Sequence, residues 1–67
     1  MLVVTCRCAT PLLGRRRGDA WQLIRVVTPG ESLVVLDEFE MGHVLRCLLV
    51  VTHLGEAGIV RSDSVMP

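Results

Sequence analysis

The dipeptide Pro29-Gly30 is the tightest local constraint in this chain. Proline presets φ at the first central position of a turn, and glycine accepts the positive φ that a type II turn needs at the second. The chain must therefore change direction between Ala20–Val27 and Ser32–Leu36, two stretches rich in β-branched and apolar residues that read as strands. The organisation extends from Val26 to Val65: three apolar segments, separated by the short turn-rich stretches Asp37–Gly42 and Leu54–Gly58. Strand-sized apolar runs between turn signals predict an all-β fold, a small barrel of about five strands.

The remaining elements follow from the same reasoning. Leu2-Val3-Val4-Thr5 opens the chain as a first strand, and Thr10-Pro11 ends it because proline cannot donate to a ladder. Leu12 to Asp19 is glycine-bounded, carries Arg15-Arg16-Arg17, and reads as an exposed loop. The acidic stretch Asp37 to Gly42 reads as a solvated loop. His43 to Thr52 has two readings. As a strand it places Val44, Leu48 and Val50 on one face and Leu45, Cys47, Leu49 and Val51 on the other. As a helix it groups Leu45, Leu48, Leu49 and Thr52, with Gly55 as C-cap. The β-branched run Val50-Val51-Thr52 favours the strand. Gly58-Ile59-Val60 forms a short last strand, and Ser62-Asp63-Ser64 favours one 3₁₀ turn.

A chain of 67 residues is one domain, residues 1–67, and its composition is 51% hydrophobic. So small a domain buries only about 60% of the surface its unfolded chain exposes. An apolar strand face left over from the core marks an interaction surface. The reading is therefore a protein partner or a homo-oligomer, with Trp21, Leu12, Leu13, Val44 and Leu45 lining the contact and Arg15, Arg16 and Arg17 offered to an acidic protein surface.

Net charge is zero, so no global field draws the chain to nucleic acid or to a membrane surface. No segment reaches the roughly 20 apolar residues of a membrane span, and Arg7 interrupts the apolar start, so no secretory signal is expected. A place in the cytoplasm or within a virus particle is the corresponding expectation. The odd count of three cysteines does not suit a closed disulfide framework.

Leu23-Ile24-Arg25-Val26-Val27-Thr28-Pro29-Gly30-Glu31, followed by Leu33-Val34-Val35-Leu36, resembles the turn and following strand of SH3-type barrels, the bacterial kind especially. Gly55-Glu56-Ala57-Gly58-Ile59-Val60-Arg61-Ser62-Asp63-Ser64-Val65 is similar to that family's distal step, 3₁₀ turn and closing valine. The resemblance runs from about Val3 to Val65 and implies an SH3-like barrel with a short 3₁₀ turn near its C-terminus. It does not carry over proline-rich peptide binding. That groove is lined by aromatics, and this chain has no tyrosine, His43-Val44-Leu45 where a tryptophan is expected, Arg61 in place of the proline and Ser64 in place of the tyrosine.

Candidate chemistry is sparse. Cys6, Cys8, Cys47, His43 and His53 could be offered to zinc, but zinc sites favour C-x₂₋₄-C spacing, and a C-x-C pair on a strand points its thiols to opposite faces. Small residues filling a narrow barrel are the simpler reading. Nothing pairs a cysteine with a histidine for nucleophilic work. No catalytic, cofactor or metal residues are expected, and the chain reads as no enzyme. Its expected role is a structural or adaptor subunit of a larger assembly, such as a virus or phage particle or a cellular complex. The alternative is a nucleic-acid-associated barrel that clamps phosphates with Arg15, Arg16 and Arg17.

Overall fold

The computed structural model describes residues 1–15, 21–42 and 45–67, with Arg15 and Met41 described by their backbone alone. The fold is all-β. Its strands are β1 (Leu2–Cys6), β2 (Thr10–Arg15), β3 (Trp21–Val27), β4 (Ser32–Met41), β5 (Leu45–Thr52), β6 (Ala57–Arg61) and β7 (Val65–Met66), with a 3₁₀ turn at Ser62–Ser64 before β7. They form one antiparallel sheet in the order β3-β2-β6-β5-β4-β1-β7, open at β3 and β7.

Alternation decides which side of this sheet is the inside. Val4 and Cys6 from β1, Leu12 from β2, Val27 from β3, Leu33 from β4, Leu48 and Val50 from β5 and Val60 from β6 form one buried cluster, with Val35 and Val65 packed against it. Strands that are not neighbours in the sheet meet in this cluster, so the sheet curls around it. Two register shifts help: one between Leu12 and Leu13 against β3, the other between Val35 and Asp37 against β5. An extra residue on one strand bends it and increases local twist. Gly58 allows the tightest approach, because a Cβ there would lie 2.8 Å from both Leu12 Cδ1 and the Leu13 carbonyl oxygen.

The Pro29-Gly30 turn forms as its chemistry requires. Gly30 has φ 91°, and the Glu31 amide donates to the Thr28 carbonyl oxygen at 3.2 Å. It is a corner rather than a hairpin, however. The strands it joins, β3 and β4, are separated in the sheet by β2, β6 and β5.

Seven strands form where about five were expected, and both additions have local causes. Leu12, expected in an exposed loop, lies on β2 and is fully buried. Pro11 is tolerated there because, among the described residues, β6 pairs with β2 at Leu13 and Pro11 has a ladder partner on one side, Val26 of β3. The closing valine, Val65, pairs with Cys6 to make β7. A further correction concerns Asp37 to Met41, which extends β4 instead of looping. Glu38 and Glu40 face the solvent beside Arg46 of β5, at 3.1 and 3.7 Å, while Phe39 pairs with Cys47. Residues 45–52 are a strand, and residues 43 and 44 lie outside the described residues. Among the described residues no helix is long and apolar enough to cross a membrane.

Candidate docking surface

The residues pointing away from the core make up the outer face. Along β5 these are Leu45, Cys47, Leu49 and Val51, the alternate set to the core residues Leu48 and Val50. The ladders set their neighbours. Leu49 pairs with Ile59, which pairs with Leu13, which pairs with Leu23, giving a row of four apolar residues across β5, β6, β2 and β3. A second row runs Val3, Val34, Val51, Ala57 across β1, β4, β5 and β6. Cys47 and Ile59 are buried without belonging to the inner core cluster.

Two hollows open on this outer face. One, of about 260 Å³, is lined by Leu13, Gly14, Trp21, Leu49 and Ile59 with Ala57 and Gly58. The other, of about 150 Å³, is lined by Pro11, Leu13, Trp21, Leu45, Cys47, Ile59, Val60 and Arg61. Leu13, Trp21 and Ile59 belong to both, so Trp21 stands between them. A cavity of about 150 Å³ is large enough for a benzene-sized group. The walls are almost wholly apolar. Trp21 itself is 42% exposed, which leaves much of a large amphipathic ring available to a partner.

The Val27 end of β3 is polar and tightly tied. Arg25 donates from Nη1 and Nη2 to the Glu31 carboxylate at 3.0 and 2.8 Å and from Nε to Glu56 Oε1 at 2.6 Å. Glu31 also accepts from the Thr28 amide and hydroxyl at 2.6 and 2.9 Å, and His53 Nε2 lies 3.0 Å from it. Glu56 accepts from the Thr52 hydroxyl at 3.0 Å. Hydrogen bonds from Arg25 and from Thr28 hold the Glu31 carboxyl well below the usual carboxylate range. Glu56 is lowered too, first by Arg25. The Arg25 guanidinium is raised above its ordinary value by the same two partners. Every polar atom of this network serves another part of the same fold. It joins the β3 end, the β3–β4 turn and the β5–β6 turn, and is a structural clamp.

The three cysteines are free: Cys6 and Cys47 buried, Cys8 exposed. Burial, then the nearby Glu31 carboxylate and Cys8, push the Cys6 thiol up, the direction that makes a thiol less nucleophilic. Cys6 is in the core and Cys47 in the floor of a hollow. Among the described residues no three histidine, cysteine or acidic side chains gather as a metal site.

Of the residues expected to meet a partner, Trp21, Leu13 and Leu45 come together around the hollows. Leu12 does not join them. Alternation along β2 sets Leu12 on the inward face with Thr10, where both are buried. Arg15 is at the end of β2, its backbone paired with Trp21. Arg16, Arg17 and Val44 lie outside the described residues. Ile59, Leu49 and Cys47 belong to the surface although sequence reasoning did not single them out. The signal for two of them was present: Leu45, Cys47 and Leu49 already form the second apolar face of a strand whose first face makes the core. No protein-family model, curated protein or solved structure matches the chain.

Proposed function

We propose that this chain is a non-enzymatic docking module, a structural or adaptor subunit that seats its outer β2–β6–β5 face on a protein partner in a larger assembly. The observation that carries the reading is the pair of apolar hollows on either side of Trp21. A monomer of this size gains nothing from keeping such a face in water, whereas burying it contributes about 25 cal/mol per Å² of apolar area before the cost of association. Tryptophan is also among the residues enriched at interface hot spots. A virus or phage particle and a cellular complex are both settings for such a subunit.

An SH3-like barrel is the fold reading that goes with this proposal. It is supported by the β4–β5–β6 meander, the 3₁₀ turn at Ser62–Ser64 and the short closing strand that returns to β1. The proline-rich-peptide activity of that family stays outside the proposal. Trp21 and Phe39 are the only aromatic residues, and Trp21 sits between aliphatic hollows rather than in an aromatic groove.

The test is the native mass of the particle that holds the chain in its source cells, compared with the same particle carrying Leu49→Glu or Trp21→Glu. The expected result is that the unmodified chain travels in a particle larger than itself, while either variant is folded by circular dichroism and released. A chain that is always recovered free and monomeric and binds no apolar dye would remove the reading. Salt-sensitive binding of a generic oligonucleotide, with a slope of about −0.9 per phosphate and lost when Arg15, Arg16 and Arg17 become serine, would put the nucleic-acid reading in its place.

A further inference from the structure

β2 and β3 stand together at one end of the sheet, and both connections that lead to them leave the rest of the molecule at one place. Going out, the chain leaves β1 after Cys6. Coming back, it enters β4 through Gly30 and Glu31. These two points are bonded to each other. The Gly30 amide donates to the Cys6 carbonyl oxygen and the Cys6 amide to the Glu31 carbonyl oxygen, both at 2.9 Å. The outgoing side is pinned once more, by the Arg7 amide on the Ser64 carbonyl oxygen at 2.8 Å. Two strands that leave and return at adjoining, fixed points can swing as one piece.

Their ladder to the neighbouring strand is short. β2 pairs with β3 from Thr10↔Val27 to Arg15↔Trp21, whereas among the described residues its ladder with β6 is the single pair Leu13↔Ile59. β6 pairs with β5 from Cys47↔Arg61 to Val51↔Ala57, and β5 with β4 over a longer stretch. The seam between β2 and β6 is therefore the most sparsely laddered line in the described sheet. Side chains close it instead. Leu12 and Val27 reach into the core cluster. Arg25 of β3 donates from Nε to Glu56 Oε1 at 2.6 Å, and the Thr52 hydroxyl holds that same carboxylate oxygen in place at 3.0 Å. Among the described residues this is the one side-chain hydrogen bond from β2 or β3 to β5, β6 or the turn between them. The same guanidinium takes Glu31, at the hinge, through both of its terminal nitrogens.

We propose that β2 and β3 form a hinged flap that opens at the β2–β6 seam as a unit of its own, with Arg25 on Glu56 as its latch.

Opening withdraws Leu12 and Val27 from the core, so the closed form predominates. The open form is a minor state of the sub-global kind that native proteins populate. A two-stranded hairpin with no sheet beside it is marginal in water, so the bonds between β2 and β3 are lost once the flap lifts. The body, made of β1 and β4 to β7, keeps its own pairing. Both hollows of the outer face straddle the seam: Leu13 and Trp21 of each come from the flap, and Ile59 of each from the body. The latch thus governs whether the hollows exist as shaped surfaces. The flap stands on its hinge and seam alone, whether or not a partner occupies them.

The experiment uses the full chain at neutral pH. Amide hydrogen exchange is followed through a series of low urea concentrations. The expected result is that the ladder amides of β2 and β3 share one opening, faster and less urea-dependent than the opening of β4, β5 and β6. Arg25→Gln removes the latch and should speed exchange in β2 and β3 roughly tenfold or more. Val34→Ala weakens a row to which β2 and β3 contribute nothing, Val3, Val34, Val51 and Ala57. That contact is still made when the flap is open, so Val34→Ala should speed exchange in β4 and β5 and leave β2 and β3 unchanged. Exchange on the unaltered chain needs no variant to fold. A single rate and urea slope shared by all these strands overturns the proposal. So does a β1 that opens in the same step as β2 and β3, which would move the hinge. Val34→Ala that speeds every strand alike, or Arg25→Gln that leaves β2 and β3 at their original rates, equally overturns it.

Discussion

Arg25 and Glu31 meet fork to fork, with two nearly parallel N–H···O contacts of 3.0 and 2.8 Å. The geometry ties the end of β3 to the turn that leaves it. The same guanidinium reaches Glu56 through Nε, so one side chain joins three parts of the chain that no ladder bond connects. Bidentate geometry of this sort is specific to arginine, because a lysine ammonium cannot offer the fork.

Acid should open this clamp. The Glu31 carboxyl is held below its unfolded-state value of about 4.3 by Arg25 and Thr28, and Glu56 is lowered in the same sense. A carboxyl lowered by folding adds stability that is fully present above the unfolded value and is lost as pH falls toward the folded one. Urea midpoints measured from pH 7 downward should hold until about pH 4.5 and then fall steeply. Glu31→Gln should lower the midpoint at pH 7 and flatten the acid limb. An acid limb of unchanged steepness in Glu31→Gln would show that other carboxylates set it.

Two glycines separate close packing from mere proximity. A Cβ at Gly58 would meet the Leu13 carbonyl oxygen and Leu12 Cδ1, both at 2.8 Å. The first is backbone and the second belongs to a fully buried side chain, so neither can yield cheaply. A Cβ at Gly14 would meet Ile24 Cδ1 at 2.7 Å, which is the far end of a flexible, partly exposed side chain. Gly58→Ala should therefore destabilise by about 1–3 kcal/mol, as overpacking does. Gly14→Ala should fall within about 0.5 kcal/mol of neutral, the tighter contact being offset by lower chain entropy in the unfolded state. Thermal melts of the two variants check the ordering, and equal melting points would contradict it.

Leucines give a second ordering that tests the corrected position of Leu12. Leu12 and Leu33 are fully buried, while Leu54 is 65% exposed. Leu12→Ala and Leu33→Ala should each cost about 2–5 kcal/mol, the range for buried leucine truncations. Leu54→Ala should cost less than about 0.5 kcal/mol. Chemical denaturation reads all three. A small loss at Leu12 would return residues 10–15 to the exposed loop that composition alone suggests.

The contrast between Leu12 and Leu48 shows what sequence could disclose. Leu48 is in the core because it belongs to an unbroken alternation along β5, and that alternation also exposed the second apolar face at Leu45, Cys47 and Leu49. Leu12 follows a proline and precedes a glycine and a run of arginines. Each of those signals argues against a strand, and the strand exists because β3 and β6 flank it. In Glu38-Phe39-Glu40 the alternation was present but acidic composition outweighed it. Pro29-Gly30 announced a turn correctly, yet a turn of this type is indifferent to whether its arms pair, and here they diverge to different parts of the sheet. Of the residues around the hollows, Trp21, Leu13 and Leu45 were legible as surplus apolar residues. Ile59 was not, because its place beside Trp21 depends on the single ladder contact between β2 and β6.

The thiols test the covering of both faces at once. Cys8 is exposed on the bend after β1, Cys6 is 1% exposed in the core and Cys47 is 2% exposed in the floor of the smaller hollow. Disulfide reagents need a thiolate and a clear line of attack. Burial denies Cys6 both, by blocking access and by raising its pKa. Burial likewise closes off access to Cys47. At neutral pH an aromatic disulfide reagent should modify one thiol per chain rapidly, and all three after denaturation. Cys8→Ser should abolish the rapid phase and leave the slow one intact. The slow phase should split in Trp21→Ala, with Cys47 gaining reactivity while Cys6 does not, because Trp21 lines the hollow above Cys47 and has no place in the core cluster. If Cys6 and Cys47 accelerated together, the two faces would be opening as one unit. The outer hollow would then be a gap in a loosened sheet rather than a formed surface over a packed core.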